Sequence, residues 1–241
     1  MKEAKIKKLK VISIIIVAIL IVLYGSFYFY TLDYYRADDI AIHTVNENPK
    51  SIITSKSITT FYPTKSNKEE IGIIFYPGGK VEAVSYAPLL KKLSDNGFMC
   101  VLAEMPFNLA VFNINIADSI IDKFPEIDYW FIAGHSLGGA MSSSYVKGNS
   151  ERLSGLILLG AYPINGEDIA TLAIYGSEDN GLDISKLSNT GNTIRIQGGN
   201  HAYFGNYGEQ HGDGAASITR EEQQSLTVKE ITKFIENHIY P

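Results

Sequence analysis

Three features of the chain predict a mostly parallel α/β sheet with helices on both faces, preceded by one transmembrane helix. From about residue 51 onward, β-branched and aromatic runs alternate with segments of helical apolar spacing. One of those runs, Tyr129-Trp130-Phe131-Ile132, leads straight into Ala133-Gly134-His135-Ser136-Leu137-Gly138-Gly139. A strand that enters G-x-S-x-G and leaves as a helix is a nucleophile elbow, with the serine hydroxyl raised above the sheet. Finally, residues 11–30 contain no charged side chain.

That last run spans about 30 Å as a helix, the thickness of a bilayer's hydrocarbon core. Lys2, Lys5, Lys7, Lys8 and Lys10 precede it, and Phe27, Tyr28, Phe29, Tyr30, Tyr34 and Tyr35 cluster at its far end. Basic residues on one side and an aromatic belt on the other predict a single pass with a cytoplasmic N-terminus. No A-x-A-like cleavage site follows, so the segment reads as an uncleaved signal anchor with the remaining domain outside the cytoplasm. The expected division is a basic N-terminus over 1–10, an anchor over 11–30, a polar irregular linker over 31–50 and one domain over 51–241.

Within the domain, strands are expected over 57–62, 71–76, 98–103, 129–133, 153–159, 172–175 and 193–196. Tyr86, Leu89, Leu90 and Leu93 mark a helix that stops near Asn96-Gly97. Residues 114–124 form another, with Pro125 beyond its end, and 137–147 form the helix leaving the elbow. Thr219 and Glu222 make a capping box for a last helix, whose apolar face is Leu226, Val228, Ile231, Phe234 and Ile235.

Composition narrows the function. Of 241 residues, 45% are hydrophobic, enough for one sizeable core. Five of the 21 basic residues and one of the 26 acidic residues lie in 1–10, so residues 11–241 carry 16 basic against 25 acidic. An acidic domain argues against a nucleic-acid partner. Cys100 is the sole cysteine and sits in an apolar run, as a buried structural thiol. No disulfide can form within the chain, so cysteine usage leaves the compartment open. No His/Cys cluster has metal-ligand spacing, so neither metal nor cofactor is expected.

A serine nucleophile needs a base and a group that orients the base. In strand-elbow-helix hydrolases these follow in the order Ser, Asp or Glu, His. Ser177-Glu178-Asp179-Asn180 closes one strand and Gly198-Gly199-Asn200-His201 follows the last. Asp179 is therefore expected to orient His201, with Glu178 and Asp183 as rivals for the acid. His211, His135, His43 and His238 are rivals for the base. The oxyanion of a tetrahedral intermediate needs N–H donors. Leu137 follows the nucleophile, and Tyr76-Pro77-Gly78-Gly79-Lys80 supplies Gly79, with Lys80 as second choice. Lys80, Glu104 and Asn108 are weaker candidates for substrate binding at the same sheet edge.

Tyr76-Pro77-Gly78-Gly79-Lys80-Val81, Met105-Pro106-Phe107-Asn108-Leu109-Ala110, Gly134-His135-Ser136-Leu137-Gly138-Gly139-Ala140 and Gly199-Asn200-His201-Ala202-Tyr203-Phe204-Gly205 resemble the α/β-hydrolase superfamily. Within it they are similar to its small bacterial, dienelactone-hydrolase-like branch. The resemblance implies the α/β-hydrolase fold, the triad Ser136, Asp179 and His201, and Gly79 with Leu137 at the oxyanion site.

The connection over 161–170 is too short for a helical cap, so the site is expected to be lidless and open. That disfavours a lipase activated at an oil interface and favours small or peripheral acyl substrates. The expected activity is cleavage of a carboxylic ester, thioester or lactone through an acyl-enzyme. Acyl transfer by the same triad, or a non-catalytic membrane-anchored binding module, are the alternatives. The expected partners are a small-molecule acyl substrate and, through the N-terminal helix, the cell membrane.

Overall fold

The computed structural model describes residues 2–48, 50–64, 70–164, 169–187 and 190–240. It divides into two units, 1–34 and 35–241. The first is essentially one helix, α1 (Lys2–Leu32). Its stretch Lys5–Leu32 is long and apolar enough to cross a membrane.

The second unit is built on eight strands: β1 (Ile52–Thr54), β2 (Ile58–Phe61), β3 (Ile71–Tyr76), β4 (Met99–Ala103), β5 (Tyr129–His135), β6 (Gly155–Leu159), β7 (Thr171–Gly176) and β8 (Asn192–Ile196). They lie in the order β1-β2-β4-β3-β5-β6-β7-β8. Only β1 and β2 run antiparallel to their neighbours. The helices of this unit are α2 (Asp39–Asn46), α3 (Ala87–Asp95), α4 (Ile116–Lys123), α5 (Leu137–Val146) and α6 (Arg220–Ile239).

The core lies on both faces because successive side chains of a strand point opposite ways. Ile73, Phe75, Phe131 and Ala133 meet Leu89, Leu90 and Leu93 of α3 and Val228, Ile231 and Ile235 of α6. Ile74, Tyr76 and Ile132 meet Ile116, Ala117 and Ile120 of α4 and Tyr145 and Val146 of α5. Strands buried on both faces read as unbroken apolar runs, which is why β3, β4 and β5 were legible. Cys100 is buried in β4, and burial pushes its thiol pKa up. The capping box of α6 forms as expected: Thr219 accepts from the Glu222 N–H, and the Glu222 carboxylate accepts from the Thr219 N–H.

One expectation fails in the segment 31–50, the expected irregular linker, which contains α2. Asp38 caps α2 there by accepting the Ala41 N–H at 3.0 Å, and Ala41 is fully buried. The segment also pairs with the sheet-edge loops: Tyr35 donates to the Lys80 carbonyl and accepts from the Glu82 N–H. Polar residues suggested a linker because only one side of this short helix is covered. Strand β1 was missed for a similar reason: it is three residues long and only Ile52 is buried.

Candidate active site

The carboxyl ends of the parallel strands converge on one rim, the edge where such sheets bind ligands. Ser136 sits between β5 and α5 with φ 52° and ψ −119°, a conformation L-residues avoid. Strain of about 1–3 kcal/mol persists only where the surroundings enforce it. Here glycines enforce it. A Cβ on Gly134 would come within 2.5 Å of the Gly138 backbone, and one on Gly138 would overlap the carbonyl oxygens of Tyr76 and Pro77. The Ser136 N–H is fixed on the Leu159 carbonyl at 3.0 Å.

The structure brings Asp179 and His201 together. His201 Nδ1 lies 2.8 Å from Asp179 Oδ2, and both side chains are buried. A carboxylate acceptor fixes the ring proton on Nδ1 and leaves the Nε2 lone pair free to take a proton. Asp179 Oδ1 accepts the Gly181 N–H at 2.9 Å, so the acid itself is held. The rival acids are engaged elsewhere: Glu178 accepts from the Ser177 hydroxyl, and Asp183 from that of Ser185. Among the rival bases, His43 is exposed beside Glu47 and His238 stacks on Phe234 in α6. His211 is exposed as well.

His135 is wholly buried directly before the serine, and its ring centroid lies 4.5 Å from that of His201. That contact sets the base against the elbow. Tyr86 Oη lies 2.7 Å from His135 Nδ1 and accepts the Gly78 N–H at 3.0 Å. Burial, and then the neighbouring His201, hold the His135 pKa well below its ordinary value. The ring thus packs on His201 and hydrogen-bonds locally, where burial disfavours a charge on it.

At the expected oxyanion position, Gly79 packs against Leu137: a Cβ on Gly79 would come within 2.7 Å of Leu137 Cδ2. Among the described residues neither N–H has a protein acceptor. The second choice, Lys80, gives its N–H to the Asn108 carbonyl at 2.8 Å. Lys80 and Asn108 thus meet through their backbones, both at positive φ, beside Phe107, which is also at positive φ. Glu104 stands at the foot of the same loop, and burial, then Glu82, raises its pKa.

Several site residues escaped the sequence. Asp213 accepts from the N–H groups of His201 (3.1 Å) and Ala202 (2.8 Å). Gln223 of α6 clamps the Asn200 peptide from both sides, accepting at 2.9 Å and donating at 2.8 Å. Gly160 has φ 52°, and a Cβ there would press within 2.9 Å of His201 Nδ1. Positive-φ glycine after a strand was the one signal available; Asp213 and Gln223 left none, because their partners are distant in sequence.

A strained serine at a strand-helix turn, a buried Asp-His pair and two N–H groups beside the turn thus meet at one polar rim of the sheet. Residues 72–225 match the model of the alpha/beta hydrolase family, and the chain belongs to that family. Est1E from Butyrivibrio proteoclasticus superposes with a TM-score of 0.54 at 14% identity, over 79% of this chain and 98% of that one. A soluble variant of monoglyceride lipase from Saccharomyces cerevisiae gives 0.57 at 10% identity, over 78% and 94%. MenH from S. aureus gives 0.55 at 11% identity, over 76% and 99%. No curated protein sequence matches the chain. At these identities the structural likenesses speak to the fold alone; the family places the protein among hydrolases.

Proposed function

We propose that the protein is a serine hydrolase that cleaves a carboxylic ester, thioester or lactone through an acyl-enzyme. The observation that carries this reading is the pairing of a positive-φ serine with a buried Asp179-His201 couple whose ring packs on the residue before that serine. Ser136 Oγ attacks the acyl carbon while His201 Nε2 takes its proton. The C–O or C–S bond to the leaving group then breaks, and His201 returns the proton to that group. Water attacks the acyl-enzyme by the same route and releases the acid. Asp179 keeps the imidazole in the tautomer this needs. The N–H groups of Gly79 and Leu137 bind the oxyanion, the latter at the N-terminus of α5, where the helix dipole adds to it. Losing one such donor typically costs about 2.7–4 kcal/mol of transition-state stabilisation.

Helix α1 serves in this reading as a single-pass signal anchor, with the basic residues 1–10 in the cytoplasm and the domain outside. Its length and apolarity support that role. Protease treatment of intact cells digests the domain if the reading is right and spares it if the topology is reversed.

The chemistry is tested with a fluorophosphonate probe, which reacts with activated serines. Wild-type protein is labelled, and Ser136→Ala is not, while its melting temperature stays within about 2 °C, as expected for removing one hydroxyl at a surface-accessible turn. Persistent labelling of Ser136→Ala refutes the assignment.

A further inference from the structure

The covalent path from the apolar helix to the catalytic rim is very short. Helix α1 ends at Leu32, and only Asp33 and Tyr34 precede Tyr35. Tyr35 is not a loose stem residue of the domain. Its N–H donates to the Lys80 carbonyl at 2.8 Å, its carbonyl accepts the Glu82 N–H at 2.9 Å, and it forms a parallel bridge with Val81. Its ring lies 5.6 Å from that of Tyr207, and its hydroxyl accepts the His211 N–H at 3.2 Å. Three residues on, the Asp38 N–H donates to Asn206 and the Asp38 carboxylate accepts from Asn206 Nδ2. The entry segment therefore ties the loop that carries Gly79 to the segment that follows His201.

Bond lengths alone then limit the reach of this tether. Three residue steps, Leu32 to Tyr35, extend at most about 10–11 Å at 3.3–3.6 Å per residue. With residues 11–30 filling the hydrocarbon core, that distance lies within the headgroup layer and its immediate border. A tether whose only task was to hold a soluble enzyme at a surface could join the domain anywhere. This one joins it beside the oxyanion loop.

The same rim carries an apolar patch. Phe107 and Phe112 are each 50% exposed, with ring centroids 5.6 Å apart edge to face, and Val111 is 44% exposed. The loop that displays them is strained, with φ 59° at Phe107 and 55° at Asn108, and it is bonded to Lys80, the residue after Gly79. Left-handed backbone at a bulky residue is a strained state that persists only where surrounding contacts impose it.

Resting on the hydrolase and anchor readings above, we infer that the substrate is an ester-bearing amphiphile resident in the same membrane leaflet, whose acyl chain crosses Phe107, Val111 and Phe112 to reach Ser136. The shortness of the connection between β6 and β7, expected from the sequence to leave no room for a helical cap, fits this arrangement. A lid would make the interface a trigger, whereas a short tether makes it a fixed address.

The test uses the full-length protein in phosphatidylcholine vesicles. A semi-rigid helical spacer of about 20 residues, inserted between Asp33 and Tyr34, lifts the domain by about 30 Å without altering any contact of Tyr35. Two substrates are compared: 4-methylumbelliferyl oleate dissolved in the vesicles, and water-soluble p-nitrophenyl butyrate. The expected result is at least a tenfold fall in turnover of the oleate, with the butyrate and fluorophosphonate labelling within twofold of wild type. Phe107→Ser with Phe112→Ser lowers oleate turnover more than butyrate turnover. If the spacer leaves oleate turnover unchanged, or lowers both substrates equally, the inference is overturned while the hydrolase reading stands. A wild-type protein that cleaves neither ester and takes no probe overturns both.

Discussion

The two sides of the candidate catalytic rim, with the proposed nucleophile Ser136 on one and the proposed base His201 on the other, are held by different means. On the nucleophile side, close packing leaves no room for a side chain: a Cβ on Gly134 or Gly138 would collide with backbone, and one on Gly79 with the Leu137 side chain. On the base side, side chains grip the main chain: Asp213 holds His201 and Ala202, and Gln223 holds Asn200. The first side is fixed by what is absent from the sequence, the second by groups that must be present. The nucleophile side is therefore vulnerable to added atoms, and the base side to lost hydrogen bonds.

The largest effect should come from breaking the base side at its centre. Asp179→Asn keeps the shape and the Gly181 contact but removes the charge that fixes the His201 tautomer. Loss of that lock in a triad lowers kcat by about ten-thousandfold. Steady-state kinetics on a soluble ester, with the melting temperature as control, would measure it. A fall of less than tenfold would show that Asp179 does not orient the base.

The nucleophile side breaks by addition. Gly138→Ala drives a methyl group into two backbone carbonyl oxygens at once, so α5 must shift away from β3. Overpacking of this kind destabilises by about 1–3 kcal/mol or more. Because the shift moves Ser136 itself, probe labelling should slow at temperatures where the variant remains folded. Wild-type labelling in a destabilised Gly138→Ala protein would separate packing at Gly138 from positioning of the serine.

This contrast also explains what the sequence reveals. Glycines forced by close packing are visible as G-x-S-x-G, and the strands that lead to them are unbroken apolar runs such as β3 and β5. The Asp179-His201 contact was legible because each residue lies in a loop that follows a strand, in the chain order expected of an acid and a base. Asp213 and Gln223 carry no such mark. An aspartate in a Gly-rich loop and a glutamine on a helix become informative only when folding brings them to a peptide far away in the chain. Tyr35 was hidden likewise, because its contacts are with loops at 80–82 and 206–211 rather than with a periodic neighbour.

The smallest effect concerns His135, which joins the two sides. The Gly78 N–H donates to Tyr86 Oη, which lies 2.7 Å from His135 Nδ1. Desolvation, and then the neighbouring His201, disfavours a charge there. In the unfolded chain the same histidine takes up a proton near pH 6.5. Below that pH the unfolded state binds a proton that the folded state refuses. Stability is thus unaffected by this group above about pH 6.5 and falls beneath it by up to about 1.4 kcal/mol per pH unit. His135→Asn keeps an acceptor where Nδ1 stands and cannot titrate. Its denaturation curves between pH 7 and 5 should fall less steeply than those of the wild type, by up to that amount per unit. Parallel slopes would mean that the folded protein accepts a proton on His135. A cation would then face His201 just as that residue must itself become one, and the rim would oppose its own general base.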